Sequence, residues 1–263
     1  MLKNLLKYDL KWIYKVIVVF YILALFFSIL GRLLISIPNS LILNVFGKIS
    51  LGFAVGMMIS SLINCLMRSW ARFIRNIYKD ESYLTHTLPI SKKTIYLSKV
   101  LSSIICTFTT VIVIVISLFI CYYSDANIEL LKESLEIAAT VYNTTVLKLL
   151  LIIFFMLFVE IVFIILIGYV GIIIGHKSNQ HKIIKSITIA FALYLGTQLL
   201  TLAIIYVVGL FNSNIMNLIN TTYITNIDAI KWLMYLATLI YLVYTIFYYI
   251  LGRRIFETGV DVD

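Results

Sequence analysis

The chain is predicted to be an all-α integral membrane protein with six transmembrane helices, on three observations. Hydrophobic residues make up 62% of its 263 residues, against about 45–50% in soluble domains. Apolar stretches run at 13–31, 49–67, 98–123, 147–175, 183–211 and 230–251, and roughly 20 helical residues cross a hydrocarbon core of ~30 Å. Most of the 21 basic residues also sort onto alternate connections. Lys3, Lys7, Lys11 and Lys15 precede the first span. Arg68, Arg72, Arg75, Lys79, Lys92, Lys93 and Lys99 gather between the second and third, Lys177, Lys182 and Lys185 between the fourth and fifth, and Arg253 and Arg254 follow the sixth. The positive-inside rule then puts both termini and two connections in the cytoplasm of a multi-pass cell-membrane protein. Residues 1–263 read as one transmembrane domain.

In chain order, residues 1–15 come first. At 100° per residue Leu2, Leu5, Leu6, Leu10, Trp12 and Ile13 share one arc and the four lysines the other. This is the pattern of an amphipathic helix lying on the membrane surface. Asp9 breaks it, falling in the middle of the apolar arc. A carboxylate facing acyl chains is costly, so Asp9 is expected either to meet protein, with a loop arginine the natural partner, or to twist into the headgroups. Residues 32–48 hold Pro38-Asn39, a turn between two apolar runs, bracketed by Arg32 and Lys48. The connection 68–98 carries Arg68, Arg72, Arg75 and Lys79 at helical spacing, extending the second span as a basic stripe. Asp80 and Ser82 can cap a short helix, Leu88-Pro89 breaks it, and Ser91 can cap the third span. A short helix held between two breaks beneath the bilayer is a docking element, with Tyr83, Leu84, His86 and Leu88 on its ridge. Residues 124–146 hold Asp125, Glu129, Glu133 and Glu136 against Lys132 and read as a short external helix. Residues 212–229, rich in Asn and Thr, form the last external loop.

Several function classes are excluded or disfavoured. The net charge of +9 would point to nucleic acid in a soluble protein. Here the anionic lipids of the cytoplasmic leaflet account for it, and no nucleic-acid binding is expected. Cys65, Cys106 and Cys121 all fall in spans, where small apolar packing residues are the expectation rather than a disulfide or metal site. The apolar run after Lys15 is too long for a cleavable signal, and no small-residue cleavage site follows it. There is no G-x-x-x-x-G-K-[ST] phosphate loop, H-E-x-x-H or G-x-S-x-G motif, so nucleotide cradling, metalloproteolysis and acyl hydrolysis by those routes fall away. His176 and His181 lack a nearby Cys or carboxylate and read as a solvated connection.

Within the spans, Glu160 stands near the middle of the fourth and is a candidate for cargo handling or proton relay, with a packing role as the plain alternative. Gln198 is a weaker case of the same kind. Gly52-x-x-x-Gly56 and Gly171-x-x-x-Gly175 permit close backbone approach, within the chain or between two permease copies.

An acidic pair, a short polar-apolar helix, Leu-Pro, then Ser-Lys opening a span resembles the first intracellular loop of ABC-2-type exporter permeases. The opening segment, six spans and cytoplasmic termini are similar too. In that family the loop helix is a coupling helix seated in a cleft of a separate ATPase subunit. The resemblance implies that Asp80, Glu81, Tyr83, Leu84, Thr85, His86, Leu88, Pro89, Ser91 and Lys92 sit at that contact. It further implies ATPase partners carrying the ATP and Mg, a second permease chain, and no catalysis or cofactor on this chain. One departure is the absence of the large external domain that antibiotic-sensing members carry. The spans suit an amphipathic or lipid-like cargo such as an antimicrobial peptide. An intramembrane enzyme using Glu160 and a non-transporting scaffold or sensor are the alternatives.

Overall fold

Three of the long helices start on a hydroxyl residue whose oxygen accepts from the backbone N–H three residues on: Ser40 from Leu43, Ser91 from Thr94 and Thr145 from Lys148. Such caps satisfy one of the orphan donors at a helix start. The computed structural model describes residues 1–37, 40–79, 81–87, 89–178, 180–220 and 227–258. Those residues form α1 (Leu2–Ile35), α2 (Leu41–Ile77), α3 (Ser82–Thr87), α4 (Lys92–Tyr122), α5 (Asp125–Val141), α6 (Val146–His176), α7 (Lys182–Phe211), α8 (Ser213–Asn220) and α9 (Ile227–Thr258). No strand occurs among them. Six of the helices, α1, α2, α4, α6, α7 and α9, are long and apolar enough to cross a membrane. The Pro38-Asn39 turn lies outside the described residues.

The chain divides into two compact units, the first through Leu130 and the second from Leu131. In the first, α1, α2 and α4 pack together. Asp9 meets Arg72 at one end and Gly31 meets Gly47 at the other, so α1 and α2 are antiparallel. Tyr14 to Thr109, Tyr21 to Thr110 and Ser28 to Cys121 advance together, so α1 and α4 are parallel. The interior mixes large apolar side chains such as Ile13, Ile17, Met58 and Phe73 with many small and hydroxyl ones. Ala24, Ser28, Ala54, Ser61, Cys65, Ser103, Cys106, Thr107 and Thr110 are all buried, whereas Val18, Ile22, Phe26, Ile29 and Leu33 recur every three to four residues on the exposed face of α1. A large apolar exposed face and small polar groups at the helix contacts suit a lipid surround, where helices associate by close packing and hydrogen bonds. The three cysteines are free and buried, with Cys65 and Cys106 in contact at 3.1 Å.

Two expectations change here. Residues 1–15 are not a separate surface helix: α1 runs unbroken for 34 residues, about 51 Å at 1.5 Å per residue. Nothing between Ile13 and Tyr21 can break a helix, since no Gly or Pro occurs there. Gly52 and Gly56 allow no close approach within the chain, since a Cβ on either would meet nothing within 4 Å. Where α1 and α2 do close up is Gly31, whose added Cβ would lie 2.6 Å from Leu51 Cδ2 and 3.0 Å from the Gly47 carbonyl oxygen.

In the second unit α6 packs on α7 and α9, and α8 caps the ends of α7 and α9. Gly171 and Gly175 do serve close approach: a Cβ on Gly171 would sit 2.6 Å from Ala190 Cβ, and one on Gly175 would strike the Ser186 backbone and hydroxyl. His176, expected to be solvated, is instead buried beside this contact. Its Nδ1 lies 2.9 Å from the Ile172 carbonyl oxygen and 3.3 Å from Ser186 Oγ. The segment 124–146 is helical as α5, and α8 occupies part of the stretch expected to be a loop.

Candidate functional site

The most unusual chemistry lies where α1, α2, α3 and α4 meet. Asp9 is 1% exposed. Its Oδ1 accepts from Arg72 Nε at 2.8 Å and from Lys99 Nζ at 2.6 Å, and its Oδ2 accepts from Ser98 Oγ at 3.0 Å. The carboxylate that spoils the amphipathic arc of α1 therefore faces two cations and a hydroxyl. An unpaired buried carboxylate would be untenable; a paired one is tolerated when its lone pairs are filled, as here. Arg72 is the hinge of the network. While Nε holds Asp9, its NH1 donates to Glu81 Oε2 at 2.6 Å. Asn76 Nδ2 donates to the same oxygen at 3.1 Å, and Arg75 Nε lies 3.3 Å from Oε1. Burial works against the Glu81 charge, but the Arg72 guanidinium, the hydrogen bonds from Arg72 and Asn76, and the Arg75 charge outweigh it. Its carboxyl is held below the usual range.

Glu81 leads directly into α3, the six-residue helix Ser82–Thr87. So short a helix has almost no stability of its own, because the nucleation cost is not recovered. Its position comes from outside: the Glu81 clamp, Ser82 N–H on the Lys79 carbonyl at 2.7 Å, and Thr85 Oγ1 on the Glu81 carbonyl at 2.9 Å. Ser82 and Thr85 are buried, while Tyr83 and Leu84 are 77% and 66% exposed. One face of α3 is thus fastened to α2, and the other presents an aromatic and an aliphatic side chain. Pro89 is exposed, Ser91 caps α4, and exposed Lys92 is the first residue of that helix. Asp80 and Leu88 lie outside the described residues; of His86 only the backbone, within α3, is described. Sequence reasoning did not include Asn76 or Ser98, and it counted Lys99 only among the basic residues of the connection. Ser98-Lys99 opens the apolar run 98–123, and a lysine there was a signal that the first turn of that run faces a carboxylate.

A second polar cluster lies within the second unit. The Gln198 amide on α7 and the Tyr241 hydroxyl on α9 are hydrogen-bonded at 3.0 Å, while Glu160 lies on α6 of the same unit, half-buried. Of the two span residues singled out from the sequence, Gln198 is thus bonded across to α9. Around them Phe163, fully buried, packs against Tyr194, Tyr241, Tyr244 and Tyr248 with ring centroids 5.2–6.4 Å apart. Thr201 Oγ1 reaches Tyr244 OH at 3.4 Å. Tyr241 was not distinguishable in a chain with 18 tyrosines. Comparison with known proteins finds no matching protein-family model, no similar curated protein and no similar solved structure.

Proposed function

We propose that the chain is the membrane permease of an ATP-driven exporter, with α3 as the contact to a separate ATPase subunit. One observation carries the reading: a helix too short to stand alone is anchored to three long apolar helices through Arg72, Glu81 and Asp9, yet turns Tyr83 and Leu84 outward. Anchoring on one face and exposed apolar groups on the other suit an element that passes displacement from a soluble partner into the spans. The basic residues around it support a cytoplasmic position, the side where ATP is. Binding of nucleotide by the partner shifts the ensemble of this chain only through contacts that differ between its two states, and α3 is where such contacts would be made. Glu160, Gln198 and Tyr241 are the groups proposed to meet an amphipathic or lipid-like cargo. A second permease chain completes the assembly.

The test is co-purification and crosslinking. A photoreactive side chain at position 84 should crosslink to the ATPase in membranes, and Tyr83→Asp with Leu84→Asp should release it while the spans still insert. Burying a leucine contributes roughly 1.5–3 kcal/mol, so the double variant should weaken association at least tenfold. Crosslinks from position 84 only to lipid, with full export by the double variant, would remove the support for this reading.

A further inference from the structure

We propose that Arg68 and Trp12 form a binding site for the phosphate of an anionic lipid headgroup. The proposal needs only that the apolar helices lie in a bilayer, and it is independent of the transport reading.

Depth comes first. Arg68 is the first basic residue after the apolar run 49–67, and Trp12 directly precedes the run that begins at 13. Counting along α2 from Gly47, which packs at the far end, Arg68 lies about 31 Å away, one hydrocarbon thickness. Both side chains therefore stand at the level of the phosphates, where tryptophan is enriched and arginine finds lipid anions.

The chemistry follows from what Arg68 lacks. Its guanidinium carbon sits 4.3 Å from the centroid of the Trp12 ring, but its Nε is buried with no hydrogen-bond partner. No carboxylate among the described residues pairs with it. The nearby acids are already engaged, Asp9 by Arg72 and Lys99, and Glu81 by Arg72 and Arg75. Arg72 approaches the same indole, at 5.5 Å, yet its Nε and NH1 donate to the Asp9 and Glu81 carboxylates. Arg68 is thus a cation of this junction left without a carboxylate among the described residues. A buried donor without an acceptor is costly, and a guanidinium stacked on an indole keeps its in-plane N–H fork free for two oxygens of one anion. Exposed Lys11 and Lys15 flank Trp12 on α1 and raise the local positive potential. A phosphate arriving from the headgroup layer meets the edge of the guanidinium.

Trp12 is itself the reporter. The full chain carrying Trp70→Phe and Trp232→Phe would be reconstituted in phosphatidylcholine vesicles containing brominated phosphatidylglycerol or brominated phosphatidylcholine, and Trp12 fluorescence quenching titrated. The expected result is about a fivefold preference for the anionic lipid, falling at least twofold in Arg68→Gln, to the level the flanking lysines sustain, and partly kept in Arg68→Lys. A chain retaining Trp232 alone, on α9, should show no preference. Equal quenching by the two lipids in the parent, or an unchanged preference in Arg68→Gln, would overturn the proposal. So would abolition of the preference by millimolar inorganic phosphate at constant ionic strength, which would assign the site to a soluble phosphate. The parent titration can refute the proposal alone, so the test does not depend on Arg68→Gln folding.

Discussion

Replacing Asp9 by Asn removes a charge while keeping the shape and one acceptor of the side chain. The consequence can be worked from the contacts. Lys99 is 2% exposed and Arg72 7% exposed, so neither can recover its lost counter-charge from water without opening the α1–α2–α4 junction. Arg72 keeps Glu81, but the Lys99 ammonium loses the carboxylate 2.6 Å away. Removing one partner of a buried pair typically costs 3–5 kcal/mol, mostly the penalty of the charge left behind. Against a total stability of about 5–15 kcal/mol that is a large fraction. The assay is a double-mutant cycle on the purified protein, Asp9→Asn with Lys99→Met, followed by denaturant titration in micelles. The double variant should be more stable than the sum of the single losses predicts, with a coupling above about 1 kcal/mol. If the two losses add to within about 0.5 kcal/mol, the junction is solvated, and the claim that Asp9 fastens α1 to α2 and α4 fails.

Further outcomes follow from the same contacts. Glu81 titrates below its ordinary value, so its clamp on α3 is complete above the unfolded value of about 4.3 and is lost as pH falls through the lower folded value. Hydrogen exchange at the α3 amides should thus be unchanged from pH 8 to about 5, after correction for the intrinsic rate, and rise only in stronger acid. Acceleration already near neutrality would contradict the clamp. Gly175→Ala should cost roughly 1–3 kcal/mol in denaturant titrations, because the added methyl meets the Ser186 backbone, while Gly56→Ala, with open space around it, should cost under about 0.5 kcal/mol. Glu160→Gln should leave insertion and assembly intact. Measured export falling while ATP hydrolysis by the complex persists would support cargo contact, and a fully active Glu160→Leu would exclude it.

The architecture was largely legible because lipid imposes one strong rule, a long apolar run for each crossing, and the six runs correspond to six helices. Asp9 was legible as an anomaly for the same reason: a carboxylate in an apolar arc must have a protein partner, and an arginine of the 68–98 connection supplies it. What could not be read was connectivity at the level of single turns. The amphipathic residues before Ile13 and the apolar residues after it share the 3.6-residue period, so a change in hydropathy looked like a boundary although nothing interrupts the backbone. Lys99 was counted with the basic connection, since a sequence does not show that its ammonium turns back onto α1. His176 was misjudged because its polar neighbours dominated. The small residues that bury it, Gly175 and Ser186, lie on two different helices and become adjacent only when α6 and α7 close. Tyr241 illustrates a further limit: its hydrogen bond is to Gln198 on another helix, not to anything in its own stretch of the chain.

The continuity of α1 has a mechanical meaning. Its far end is pinned where Gly31 lies against Gly47, too close for any side chain between them, and its near end is gripped through Asp9. The 22 residue steps from Asp9 to Gly31 make a stiff arm of about 33 Å. Rotation about the glycine pivot by about 5° would carry the Asp9 end sideways by ~3 Å, comparable to the small helix shifts that switch packed interfaces. A kinked or segmented helix would absorb that angle at its joint. An unbroken one delivers it along its length, so the force arm and the lipid-facing stripe of Val18, Ile22, Phe26, Ile29 and Leu33 must sweep together as a single rod.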